Sequence, residues 1–167
     1  YADVACNVLR FYTEDTRWQK TWVANHILYH HSPRGYYGKQ KGYNRRQFLF
    51  WRCPEKTNRA YKDLWKRTPR PLFTLLETAQ SEFVRSFAVN ALKSDFVTVL
   101  REVEPEWVLR LLAVGSKTVD EFVVWILTTV PKFEQSSFRE MGLHEPLLKL
   151  LHSKSAEAQK YAASYAR

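Results

Sequence analysis

The chain has 167 residues, 45% of them hydrophobic and 15% aromatic, with a formal net charge of +9. That composition excludes a disordered or collagen-like chain, and the length suits one domain with enough chain to bury a core. Cys6 and Cys53 are too few for a disulfide framework or a paired metal motif, and no apolar run approaches the roughly 18 residues of a spanning helix.

The positive charge is concentrated. Residues 1–33 hold three basic and three acidic residues, and residues 71–167 hold eleven and twelve. Residues 34–70 hold twelve basic residues against Glu55 and Asp63 alone, so this one segment carries the net charge of the whole chain.

Asp3 to His31 is expected to form one long helix, with a break near Thr13-Glu14-Asp15. Ala5, Val8, Leu9 and Tyr12 make an apolar stripe at helical spacing, and Trp18, Trp22, His26 and Tyr29 continue it with aromatic rings. Ser32-Pro33 stops the helix. His26 and His30 share a face, with His31 beside them. A closed metal site needs three or four ligands, and no Cys, Asp or Glu completes the set at a recognisable spacing, so no metal is expected.

Pro33 to Arg46 is expected to be a loop, because Gly35, Gly38 and Gly42 lie within it. Their spacing fits neither a P-loop nor a dinucleotide fingerprint. The segment supplies five cations, Arg34, Lys39, Lys41, Arg45 and Arg46, interleaved with Tyr36, Tyr37 and Tyr43. Cations that meet negative groups beside rings that stack suit a binding surface, and these eight residues are the candidate partner-binding set. The same chemistry fits an acidic protein surface, anionic lipid headgroups or RNA. Gln47 to Cys53 is a compact apolar run that is either strand-like or one helical turn. Glu55 to Lys66 is expected to be a basic helix with Tyr61, Leu64 and Trp65 on its apolar side. Thr68-Pro-Arg-Pro71 is a stiff break. The expected organisation is therefore an N-terminal helical segment over 1–32, a basic extension over 33–70 and a repeat domain over 71–167.

The repeat emerges from the C-terminal end. Leu147, Leu148, Leu150 and Leu151 form one apolar cluster, His152 to Ser155 a polar turn, and Ala158, Tyr161, Ala162 and Tyr165 a stripe at i, i+3, i+4, i+7. Sliding this unit back 39 residues sets Leu150-Leu151 on Leu111-Leu112 and the stripe on Val119, Phe122, Val123 and Ile126. A further 36 residues reach Leu75-Leu76, with a stripe of Phe83, Ser86, Phe87 and Asn90. Between the first two copies, Phe96, Val99, Leu100 and Val103 make an apolar run stopped by Pro105. Three copies at this spacing predict helix pairs that bury their faces on one another.

Phe122-Val-Val-Trp-Ile-Leu127, the stretch from Phe138 through Gly142 and Pro146 to Leu151, and Ala158 to Ala166 together resemble an armadillo repeat, and HEAT-like describes them equally well. The resemblance covers residues 72–167. It implies an all-α fold: a short α-solenoid, preceded here by the long N-terminal helix and the basic aromatic extension. Trp125 is expected to be buried between the second and third copies.

No nucleophile–base pair or carboxylate pair stands at a catalytic spacing, so no enzymatic activity and no cofactor are expected. The first expectation is a structural or accessory subunit that scaffolds other proteins in a large assembly, within which a mitochondrial inner-membrane energy complex is preferred. The alternative is an RNA-binding component of an organellar ribosome or RNA-processing complex. The first residue is Tyr1: either a targeting segment has been removed or the natural start lies upstream, and the former suits a mitochondrial location.

Overall fold

The computed structural model describes residues 1–13, 22–29, 35–40, 43–48 and 61–167. Among them the chain is helical apart from one two-stranded antiparallel hairpin. It forms two compact units, Tyr1–Asp95 and Phe96–Arg167. No described helix is long and apolar enough to cross a membrane.

In the first unit, the expected single N-terminal helix is two: α1 (Ala2–Leu9) and α2 (Trp22–Tyr29). The chain leaves helical geometry before Thr13, on the N-terminal side of the expected break. Ala2, Ala5, Cys6 and Leu9 are buried on one face of α1, which packs against α2 and against α4 (Arg70–Thr78). The Cys6 Sγ donates to the Pro71 carbonyl at 3.4 Å, and the Gln80 amide donates to the Arg10 carbonyl at 3.2 Å. These bonds tie the middle and the C-terminal end of α1 to the chain around α4.

The stretch expected as a loop is instead strand β1 (Gly35–Gln40) paired with β2 (Tyr43–Phe48). Three glycines suggested a loop, but Tyr36, Tyr37 and Tyr43 carry strand propensity. Only Lys41 and Gly42 separate the strands in sequence, the spacing of a two-residue hairpin connection. The basic helix expected over 55–66 is described only at its end, as the single turn α3 (Lys62–Trp65). Tyr61 precedes it with a left-handed φ of 50°, unusual for a bulky residue. Trp65 is fully buried, edge-on to Phe87 at 5.1 Å and to Tyr1 at 6.0 Å.

Three helices share one start. α5 (Glu82–Asp95), α8 (Lys117–Thr129) and α10 (Ala156–Tyr165) follow Ser81, Ser116 and Ser155, all buried. Each serine Oγ accepts the amide three residues on: Val84 at 3.4 Å, Val119 at 3.3 Å and Ala158 at 3.3 Å. A helix begins with amides that have no intrahelical partner, and a serine at this position satisfies one of them. The caps therefore set the register, and they stand 35 and 39 residues apart. The expected offset of 36 between the first two copies is one residue too long. The buried face of α5 is Val84, Phe87, Ala88, Ala91 and Leu92, while Asn90 is exposed and Phe83 and Ser86 are half-buried.

Each capped helix packs on the helix before it. α4 buries Leu72, Leu75 and Leu76 against α5, and α7 (Pro105–Leu112) buries Trp107, Val108 and Leu111 against α8. α9 (His144–Leu148), with the 3-10 turn Lys149–His152, buries Leu147 and Leu150 beside α10. Before α7, α6 (Val97–Arg101) buries Leu100. Phe96 and Val103 are buried as its flanks, but Val99, expected inside, is exposed. Within the second unit α7 meets α9 and α8 meets α10, so one helical hairpin lies against the next. Gly115, before the α8 cap, has φ +66°, and Gly142, before α9, has φ +70°. Both turns use backbone that a side chain strains.

Candidate functional site

The eight candidate partner-binding residues divide between described and undescribed chain. Arg34 and Lys41 lie outside the described residues, as do His30, His31 and residues 49–60. Tyr36, Tyr37 and Lys39 fall in β1, and Tyr43, Arg45 and Arg46 fall in β2. The register sets Tyr37 opposite Arg46, Gly38 opposite Arg45, Lys39 opposite Asn44 and Gln40 opposite Tyr43. Cation and tyrosine positions, neighbours in sequence, are thus interleaved across one ribbon of about 17–20 Å, at about 3.4 Å per strand residue.

The second unit holds a different site, absent from the expectations. An open cleft of about 460 Å³ is lined by Gln135, Ser136, Arg139, His144, Leu148 and Tyr165, with the C-terminal end of α10 at its edge. Gln135 and Ser136 come from the 3-10 turn Gln135–Ser137, and His144 is the first residue of α9. Tyr165 is brought in by α10, whose small buried residues Ala158 and Ala162 allow the helix to approach closely. The His144 Nδ1 and the Tyr165 hydroxyl are 2.7 Å apart, and the two rings meet edge-on at 5.6 Å. With one imidazole nitrogen occupied, the ring is held in orientation and the other nitrogen is left for other partners. The buried Phe138 ring backs Tyr165 at 5.5 Å.

One turn back along α10, Tyr161 is half-buried and its hydroxyl is fully enclosed. Burial pushes its phenol above the ordinary range. The Gln135 side chain pulls the other way and Tyr165 adds to the rise. Gln135 completes no hydrogen bond of good geometry to the hydroxyl, so desolvation dominates.

At the opposite, N-terminal end of α10, the turn expected to be merely polar is a buried network. The Ser153 hydroxyl donates to the buried Asp120 carboxylate at 2.5 Å, and the Ser155 amide donates to the Ser153 Oγ at 3.0 Å. The Ser155 hydroxyl donates to Glu121 at 2.9 Å. Two acids of α8 thus hold the turn that aims α10. Trp125, expected to be buried, is half-buried, stacked on buried Phe122 with centroids 5.8 Å apart and planes 9° apart. It is Phe122 that occupies the core position.

The cleft was hidden because its residues come from three separated stretches with no motif spacing. The caps were legible: a serine three residues before each apolar stripe is a helix-start signature. Compared with known protein families, curated proteins and solved structures, the chain shows no match.

Proposed function

We propose that the chain is a non-catalytic scaffold, an accessory subunit of a larger protein assembly, built on armadillo/HEAT-like helical repeats. The observation that carries this reading is the basic hairpin. A two-stranded hairpin alone is marginal in water. This one has Lys39, Arg45 and Arg46 within its strands, at positions paired with Asn44, Gly38 and Tyr37, so no acid stands opposite any of the three cations. A negatively charged partner surface supplies both the counter-charge and the cover for Tyr36, Tyr37 and Tyr43. The paired helices support the same reading, since helical repeats present extended faces to partners. A mitochondrial inner-membrane energy complex is the more specific form of the proposal, and it rests on the chain's composition alone.

The test is assembly. Tagged protein purified from its source should carry partner subunits with it, and the double variant Arg45→Ala/Arg46→Ala should lose them while unfolding like the parent. Retention of the same partners by the double variant would sink the proposal. Recovery of RNA instead would favour an RNA-binding component of an organellar ribosome or processing complex. Its binding should weaken with salt by about 0.7 logarithmic units per logarithmic unit of salt for each single-strand phosphate neutralised.

A further inference from the structure

We propose that the cleft between the 3-10 turn at Gln135, the start of α9 and the end of α10 binds a carboxylate-bearing ligand, either an acidic peptide residue or a small carboxylic acid. The chemistry of its lining points there. Arg139 is the one fixed cation, and a guanidinium meets a carboxylate through two parallel hydrogen bonds. His144, held at 2.7 Å by the Tyr165 hydroxyl, presents an oriented ring, and Ser136 and Gln135 add neutral donors. No aspartate or glutamate is among the lining residues, so nothing in the cleft neutralises Arg139 from within.

The charge count limits the ligand. Glu134, Glu140 and Glu145 are exposed next in sequence to Gln135, Arg139 and His144. One cation in the cleft, with exposed acids on the adjoining chain, suits a single negative charge better than a polyanion such as RNA. Volume limits it further. About 460 Å³ is far more than a carboxylate fills and lies in the range of sites that hold a small ligand or a few residues of peptide. Leu148 and the Tyr165 ring supply apolar surface for the body of such a ligand. The cleft lies within the second unit and uses no residue of the basic hairpin, so the two proposals stand or fall separately.

The experiment uses the full chain with isotope-labelled histidine and arginine, titrated in parallel with four probes. These are acetyl-Leu-Glu-Leu-amide, its glutamine counterpart, glutarate and inorganic phosphate. The His144 ring and Arg139 side-chain resonances should move with the glutamyl peptide, with glutarate or with both. The glutamine peptide should bind about tenfold more weakly, the loss expected when one charge-assisted hydrogen-bond pair is removed. Arg139→Gln should lower affinity by about the same factor without altering thermal unfolding, because Arg139 is exposed, and Arg139→Lys should recover part of it. Tyr165→Phe should weaken binding less, by freeing the imidazole. A response to the peptide alone assigns the cleft to a partner's acidic segment, and a response to glutarate assigns it to a free acid. Equal binding of the glutamyl and glutamine peptides, tighter binding of phosphate than of either carboxylate, or unmoved His144 resonances with all four probes would overturn the proposal.

Discussion

Helices α8 and α10 are built to one plan and end in different chemistry. Each starts at a buried serine that caps the third amide on, and each turns the same four positions inward: 119, 122, 123 and 126 on α8, and 158, 161, 162 and 165 on α10. On α8 those positions are Val, Phe, Val and Ile, all buried, and the helix is core. On α10 they are Ala, Tyr, Ala and Tyr; the alanines are fully buried and the tyrosines half-buried. The cap and the small or branched residues fix the register. The two large positions decide whether the face closes into a core or opens into a cleft, because a tyrosine hydroxyl must find a polar partner or carry the cost of losing water.

The largest expected effect tests that division directly. Phe122→Ala removes a ring that is 1% exposed and touches both Trp107 and Trp125, and should cost about 3–5 kcal/mol in chemical denaturation. Tyr161→Ala at the matching position should cost clearly less, as should Trp125→Ala, since both side chains are already partly wet. Equal losses at 122 and 161 would mean that α10 is core after all and would break the comparison.

Asp120 comes next. Asp120→Ala leaves Ser153 without its buried acceptor and should cost about 1–3 kcal/mol. A double-mutant cycle with Ser153→Ala should return a coupling that neither single change explains. Additive losses would mean that the turn is held by something other than this bond. The caps should follow at about 1 kcal/mol for Ser116→Ala. Ser155→Ala should exceed that, because its hydroxyl also donates to Glu121. If the two losses are equal, the Glu121 contact contributes nothing, as many partly exposed contacts do.

These effects also mark what the sequence made legible. Helix pairs, their leucine faces and the 39-residue step between the last two copies follow from period and spacing. The 36-residue step fails by one because stripes of Phe, Ser, Phe and Asn and of Val, Phe, Ala and Ala overlap on α5, and it is burial, together with the Ser81 cap, that separates them. Trp125 was placed inside by the repeat alignment and the armadillo resemblance, whereas stacking on Phe122 lets it stay half out. The hairpin was hidden by glycine content, which suggests a loop unless tyrosine strand propensity is weighed against it. The cleft left no trace, because Arg139, His144 and Tyr165 converge only once Ala158 and Ala162 have let α10 approach.

The smallest effect is the most specific to α10. Tyr161→Phe keeps the ring and removes a hydroxyl that is enclosed without a hydrogen bond of good geometry, so at pH 7 stability should change by only about 0.5 kcal/mol or less. The difference should appear in alkali. Burial raises the Tyr161 phenol above its ordinary value of 10.0, so the folded chain keeps this proton where the unfolded chain releases it. That linkage leaves stability intact below about pH 10 and removes it as the pH climbs toward the higher folded value. Tyr1, whose phenol is also raised by burial, and Cys6, whose thiol is raised in the same way, act with the same sign. Parent and variant should therefore both weaken in alkali, and the parent should weaken more steeply. Phenylalanine already stands at the matching position of α8, so Phe122→Tyr should introduce the alkaline loss there. Denaturation curves from pH 8 to 11 that run parallel for the parent and Tyr161→Phe would show that the α10 hydroxyl is solvated, and that the two helices differ in ring size and exposure but not in the polarity of what they enclose.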